Sequence, residues 1–124
     1  MILVDTSVWI DHLRHGDVEL TRLLNAGQVL THRLVIGELA LGGLQNRNIF
    51  LSTLQNLPQV TVASDDEVLH FIETHTLFGT GIGYIDAHLL AAVRLSPGVL
   101  LWTTRDKRLL AESARLGLCV NLTH

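Results

Sequence analysis

The chain has 124 residues, a length that fits one domain enclosing a single hydrophobic core. Hydrophobic residues make up 48% of it, which excludes a disordered chain, and no apolar run approaches the ~18–20 residues that a membrane span needs. The formal net charge of −3 argues against nucleic-acid binding through a basic surface alone. The single cysteine, Cys119, cannot form an internal disulfide, which favours a reducing compartment, and we expect a cytoplasmic protein. The length predicts one domain over residues 1–124.

Short apolar runs alternate with stretches of helical periodicity along the chain. The strand-like runs are residues 2–4, 29–31, 60–63, 99–103 and 118–121. The helical stretches are residues 7–14, 18–25, 34–44, 49–57, 65–78, 84–95 and 105–116. This alternation predicts an α/β fold with a parallel sheet whose two faces are both covered by helices.

Two acidic residues lie within three residues of the ends of predicted strands. Asp5 comes after the apolar run Ile2-Leu3-Val4, and Asp106 follows the run that ends at Thr103. In open parallel sheets, ligands bind beyond the carboxyl ends of the strands. We therefore expect these two carboxylates to lie at the same edge of the sheet.

Two further acids are isolated in apolar helices. Glu38 is the only charged residue in LVIGELALGGL, and Asp86 is the only acid in GYIDAHLLAAV. Asp86 follows the glycine-rich segment 79–83, so we expect it in the first turn of a helix. A carboxylate on an apolar face requires a partner.

Each acid also has an ordinary explanation. Asp5, Asp86 and Asp106 could cap helices or complement a helix dipole, and Glu38 could lie on a solvated edge. One shared explanation covers all four, namely a cluster of oxygen ligands for hard divalent cations. Because the set lacks cysteine and histidine, Mg²⁺ or Mn²⁺ is the expected ion.

The segments VDTSVWID, GIGYIDAHLLAA and LLWTTRDKRL, together with Glu38, resemble the PIN-domain endoribonucleases, specifically the VapC-type toxins of bacterial toxin–antitoxin systems. The resemblance spans essentially the whole chain. It implies a three-layer α/β/α sandwich with a central parallel sheet, and it assigns the catalytic, metal-binding quartet to Asp5, Glu38, Asp86 and Asp106. Ser7 and Thr104 match positions that support the quartet by hydrogen bonding.

The family resemblance also implies a function and partners. The expected activity is metal-dependent cleavage of RNA, either transfer RNA or ribosomal RNA, by a homodimer that a cognate VapB-type antitoxin neutralises. Arg105, Lys107 and Arg108 surround Asp106 and are candidates for contacts with the RNA backbone, although a solvated helix face explains them equally well. No membrane partner is expected.

Three other classes of protein share parts of this sequence pattern. A haloacid dehalogenase-type phosphotransferase needs a second acid two residues after the first, and Ser7 stands there. A receiver domain needs an acidic pair near its first strand and a lysine after its fifth, and no lysine follows the last predicted strand. The remaining alternative is a catalytically inactive PIN-like module that binds RNA or protein.

Overall fold

The computed structural model describes residues 1–122 and contains a parallel sheet at its centre. Its strands are β1 (Ile2–Val4), β2 (Val29–Leu30) and β3 (Leu100–Trp102). β1 is the central strand in the order β2-β1-β3. It pairs in parallel with both neighbours, with Leu3 opposite Leu30 on one side and Leu101 on the other.

Seven helices accompany the strands within residues 1–122. They are α1 (Thr6–His15), α2 (Val18–Asn25), α3 (Arg33–Ala40), α4 (Arg47–Asn56), α5 (Asp65–Thr74), α6 (Tyr84–Leu95) and α7 (Lys107–Arg115). In this part of the chain, none of the helices has the length and apolar character needed to cross a membrane.

Both faces of the sheet are covered. Successive side chains of a strand point to opposite faces, and the adjacent residues Leu3 and Val4 of β1 are both fully buried. The same holds for Leu101 and Trp102 of β3, which are 0% and 1% exposed. The molecule is therefore an α/β sandwich with helices on each face, as the alternating pattern predicts.

Two of the five predicted strands are not formed. Residues 60–63 and 118–121 lie at the two edges of the sheet, where only single bridges form, between Thr31 and Gln59 and between Leu101 and Cys119. Each bridge is flanked by two backbone hydrogen bonds, for example from Thr31 N to Pro58 O and from Val60 N to Thr31 O. The parallel pairing agrees with the predicted sheet, whereas the predicted strands themselves are reduced to single bridges.

The helix bounds agree for α2 and α6 and differ elsewhere for local reasons. α3 ends at Ala40, short of the predicted residue 44, where the chain enters Gly42-Gly43. α5 ends at Thr74 because Thr76 adopts a left-handed conformation with φ of 53°. Its start was predictable, since Ser64 and Glu67 form a capping box.

We predict that Leu90→Ala lowers the free energy of unfolding by about 3 kcal/mol, because the side chain of this α6 residue is completely buried and its loss leaves a cavity. Leu69→Ala in the middle of α5 is the control, since Leu69 is 55% exposed. Its cost should stay below about 1 kcal/mol. Urea titration compares the two variants, and equal losses would contradict the core described here.

Candidate active site

Asp5 is held at the carboxyl end of the central strand by its neighbours in β1 and β3. Val4 pairs with Trp102, and Asp5 N donates to Trp102 O at 3.0 Å. This register brings Thr103 beside Asp5, so that Thr103 Oγ1 donates to Asp5 Oδ2 at 2.9 Å. Ser7 Oγ donates to the same oxygen at 2.9 Å. The buried Asp5 carboxylate is thus fixed by two hydroxyl groups.

Glu38 lies on an exposed face of α3. Its Oε1 accepts a hydrogen bond of 2.8 Å from Oγ1 of Thr6, the first residue of α1. The partner that an acid on an apolar helix requires is therefore a hydroxyl group from the helix that follows Asp5. This bond ties α3 to the end of β1.

Asp86 and Asp106 each lie where a helix begins. Asp106 is the N-cap of α7, and its Oδ1 accepts bonds of 3.1 Å from the backbone N–H groups of Arg108 and Leu109. Asp86 lies in the first turn of α6, where its Oδ2 accepts a long bond of 3.4 Å from Gly83 N. Both residues therefore cap a helix, as the ordinary explanation predicts. In each of them only one carboxylate oxygen takes part in this capping.

All four acids share one arrangement, in which one carboxylate oxygen accepts hydrogen bonds and the other accepts none from residues 1–122. The oxygens without a partner are Asp5 Oδ1, Glu38 Oε2, Asp86 Oδ1 and Asp106 Oδ2. Such oxygens are available to an external ligand, and carboxylate oxygens are the ligands that Mg²⁺ and Mn²⁺ prefer.

The charges of the other three acids act on Asp86. The pKa of Asp86 is raised to about 6, chiefly by burial and next by the charge of Asp5. Asp106 and Glu38 raise it further, while the hydrogen bond from the Gly83 amide acts in the opposite direction. The structure therefore brings the four sequence-predicted acids into one electrostatic neighbourhood.

This neighbourhood is not a closed coordination shell. Within residues 1–122, no group of three or more Asp, Glu, His or Cys side chains is arranged to hold a metal ion. The donor chemistry of the four carboxylates nevertheless fits a hard divalent cation. Asp5 is buried and is fixed by two hydroxyl groups, whereas Glu38 is the exposed member of the set.

The supporting residues differ in part from those predicted. Ser7 donates to Asp5, and its supporting role in a catalytic quartet stays a prediction. The threonine that donates to Asp5 is Thr103, which is buried, whereas Thr104 is exposed and makes no side-chain hydrogen bond to the described residues. Adjacent residues leaving a strand point in different directions, so the sequence TT alone does not reveal which hydroxyl faces Asp5. Thr6 was also missed, although its place between Asp5 and Ser7 is a usable signal.

The three basic residues predicted to contact RNA have different surroundings. Arg105 Nη2 donates to Ser7 O at 3.4 Å, and its Nε lies 3.2 Å from Asp11 Oδ2. Arg108 lies against the loop before α6, with Nη1 donating to Gly81 O at 3.4 Å. Lys107 is exposed and has no ion pair with the residues that the structure describes.

A polar network joins α5 to α6. Asp65 Oδ1 accepts 3.0 Å from Tyr84 OH and lies 3.3 Å from Nε2 of the buried His88. The His88 ring in turn lies 6.3 Å from that of His32, the N-cap residue of α3. Burial, followed by the charges of His88 and Arg33, lowers the pKa of His32 to about 4, so this ring is neutral at pH 7. The edge-to-face contact of these two rings thus links α3, which carries Glu38, to α6, which carries Asp86.

These features together define a class of protein. A parallel α/β sandwich with four acids near the carboxyl ends of its strands is the arrangement that the sequence motifs imply for a PIN domain. A family model described as PIN domain matches residues 2–115. The chain belongs to the PIN-domain family.

Two curated relatives give a finer comparison. Both carry the name Ribonuclease VapC32 and come from Mycobacterium tuberculosis, one from strain CDC 1551 / Oshkosh and the other from strain ATCC 25618 / H37Rv. Each is 49% identical to this chain over 120 residues, which cover 97% of this chain and 96% of the relative. The similarity therefore extends over all the elements that carry the four acids.

We predict that Thr103→Val lowers the free energy of unfolding by about 2 kcal/mol, because it removes a charge-assisted hydrogen bond to a buried carboxylate without changing side-chain volume. Thr104→Val provides the matched control. Its exposed hydroxyl predicts a change within about 0.5 kcal/mol. Chemical denaturation measures both, and a larger loss for Thr104→Val would reverse the assignment.

We also predict that Asp86→Asn stabilises the metal-free protein at pH 7.5. Since the pKa of Asp86 is raised from 3.8 to about 6 on folding, its contribution to stability is complete below pH 4 and is lost as the pH rises through 6. Asparagine does not titrate, so the variant should gain about 1 kcal/mol at pH 7.5, the effect of a partly exposed group screened by water. The gain should vanish towards pH 4.

Thermal unfolding in chelator from pH 4 to 7.5 measures this difference. Glu73→Gln, which changes an exposed acid on α5, is the control and should show no pH-dependent gain. A difference between Asp86→Asn and the natural protein that stays constant with pH would contradict the electrostatic coupling.

Proposed function

We propose that this chain is a divalent-metal-dependent endoribonuclease of the VapC type, which cleaves RNA phosphodiester bonds and is neutralised by a cognate antitoxin. The observation that carries the proposal is the set of four acids, three of which act on the charge of Asp86 and each of which has one oxygen that accepts no hydrogen bond from residues 1–122. The name Ribonuclease VapC32 of the two relatives supports the same activity.

Asp5 and Asp86 are the proposed ligands of the principal Mg²⁺ or Mn²⁺ ion, and Glu38 and Asp106 complete its site or hold a second ion. A bound ion of this kind supplies an activated water and neutralises charge on the phosphate oxygens. Two such ions would bring four positive charges against the net charge of −3. The acidic balance of the chain is therefore compatible with an RNA substrate.

The protein's own residues would orient these ligands. Ser7 and Thr103 hold one oxygen of Asp5 and direct the other away from themselves. With a pKa of about 6, Asp86 is mainly ionised at pH 7 and able to bind a cation. Thr6 holds Glu38 in the same manner. A supporting role for Thr104 stays a prediction, since its exposed side chain is free to contact a bound substrate.

RNA contacts are assigned to the basic residues beside Asp106. Arg105 lies next to the first turn of α1, and Lys107 is exposed at the start of α7. Arg108 is held against Gly81, so we propose that it orders the loop before Asp86 as well as contacting the backbone. The substrate class is transfer RNA or ribosomal RNA, as the family resemblance implies.

An antitoxin and a second copy of the chain are the proposed protein partners. Several large apolar side chains are exposed, among them Leu41 at 91% and Ile49 at 71%. Apolar residues this exposed on a small domain favour burial against another chain. They support partner binding without distinguishing an antitoxin segment from a dimer interface.

We predict that the purified chain, free of any partner, cleaves total cellular RNA in Mg²⁺ or Mn²⁺ and not in chelator. Asp86→Asn should reduce the cleavage rate by about 100-fold or more, because a metal ligand contributes several kcal/mol of transition-state stabilisation. Gel analysis of the products, with mapping of their 5′ ends, measures the rate and identifies the target.

Glu73→Gln is the matched control and should cleave at the natural rate. Folding of each variant is checked by circular dichroism. If all three proteins are folded and none cleaves RNA in either metal, the nuclease proposal fails and the inactive binding module takes its place.

A further inference from the structure

Arg105 is held beside the acidic site by two contacts to α1. Its Nη2 donates to the carbonyl oxygen of Ser7 at 3.4 Å, and its Nε lies 3.2 Å from Asp11 Oδ2. Ser7 is the residue whose hydroxyl group binds Asp5. The guanidinium group is therefore anchored to the residue whose side chain binds Asp5, the most buried acid of the site.

The two anchors lie on one face of α1. Ser7 and Asp11 are four residues apart, and residues at this spacing lie one above the other on a helix. The guanidinium group bridges this single turn, with Nη2 contacting the carbonyl oxygen of Ser7 and Nε contacting the carboxylate of Asp11. Its Nη1 donates no hydrogen bond to residues 1–122, which leaves one edge of the fork for an external acceptor.

Without Asp11, the same side chain would have other anionic partners. Asp106 follows Arg105 directly in the chain, and Asp5 lies across the Ser7 hydroxyl group. A long, flexible cation beside carboxylates with unoccupied oxygens tends to pair with them. Such pairing would place the guanidinium group among the acids, where it would compete with a metal ion. It would then no longer be available to bind a phosphate.

The geometry points to Asp11 as a positioning residue that holds the Arg105 guanidinium at the rim of the acidic site, where it binds a phosphate of RNA. This inference rests on the proposed function and adds to it a residue outside the quartet. The pair is half-exposed, with side-chain exposures of 50% for Arg105 and 36% for Asp11. Ion pairs this exposed are weak, so Arg105 can share its charge with a phosphate without leaving its anchor.

The test measures RNA affinity in the Asp86→Asn background, so that the RNA stays intact. The probe is fluorescein-labelled bulk bacterial transfer RNA in Mg²⁺, and fluorescence anisotropy gives Kd between 50 and 200 mM salt. Arg105→Ala should weaken binding about 10-fold and reduce the salt slope by about 0.7–0.9, the effect of one lost phosphate contact. Asp11→Ala should weaken binding about 5-fold, and Asp11→Glu should restore most of the loss.

Glu112→Ala is the control, because it removes one negative charge and a partly exposed pair with an arginine, Arg115, in the second half of α7, away from Asp106 at its start. Loss of an acid by itself strengthens RNA binding slightly through the general field. Glu112→Ala and Asp11→Ala therefore change Kd in opposite directions if Asp11 positions Arg105. In the Arg105→Ala background, Asp11→Ala should no longer weaken binding.

The outcomes separate this inference from the proposed function. If Asp11→Ala strengthens binding as Glu112→Ala does, or weakens it equally without Arg105, the positioning role is wrong. If the otherwise natural chain cleaves no RNA while the Asp11-dependent binding persists, the nuclease proposal fails and the positioning role stands. Absence of RNA binding at every salt concentration overturns both. Thermal unfolding within about 2 °C for all variants confirms that none acts by unfolding the chain.

Discussion

The parallel pairing of β1 between β2 and β3 is the constraint on which the site depends. It buries the central strand on both faces and aligns Val4 with Trp102. Because of this register, Asp5, the first residue after β1, accepts a hydrogen bond from the hydroxyl group of Thr103, the first residue after β3. The next turn of chain, at the start of α1, then supplies hydroxyl groups to Asp5 and Glu38. One strand pair and one helical turn thus organise half of the acidic site.

The site combines two opposing requirements. Several carboxylates near one another repel, and this repulsion together with burial appears in the raised pKa of Asp86. Hydrogen bonds from hydroxyl and amide groups offset part of the cost at one oxygen of each acid. The second oxygen of each acid accepts no hydrogen bond from residues 1–122. A site of this kind is more costly to the metal-free fold than an apolar cluster, which is the usual relation between stability and function.

Much of this arrangement could be predicted from the sequence, because the acids stand out against apolar surroundings. Asp5 follows an apolar strand, and Glu38 and Asp86 are isolated in apolar helices. The contact partners were harder to predict. Thr103 and Thr104 are chemically identical, and only the β1–β3 register decides which one faces Asp5. Residues 60–63 have strand propensity, but strand length depends on tertiary pairing, and a single bridge at Gln59 is all that forms.

The two sides of the acidic site are built on elements of unequal rigidity. Seven consecutive residues of α6, from Ala87 to Val93, are buried directly after Asp86, whereas Glu38 lies on an exposed face two residues before the end of α3. Local opening is rarest where backbone amides are buried by packing on all sides. Amide hydrogen exchange should therefore be slowest through α6 and faster at the end of α3, so that thermal fluctuation of the site originates mainly from Glu38 while Asp86 stays fixed.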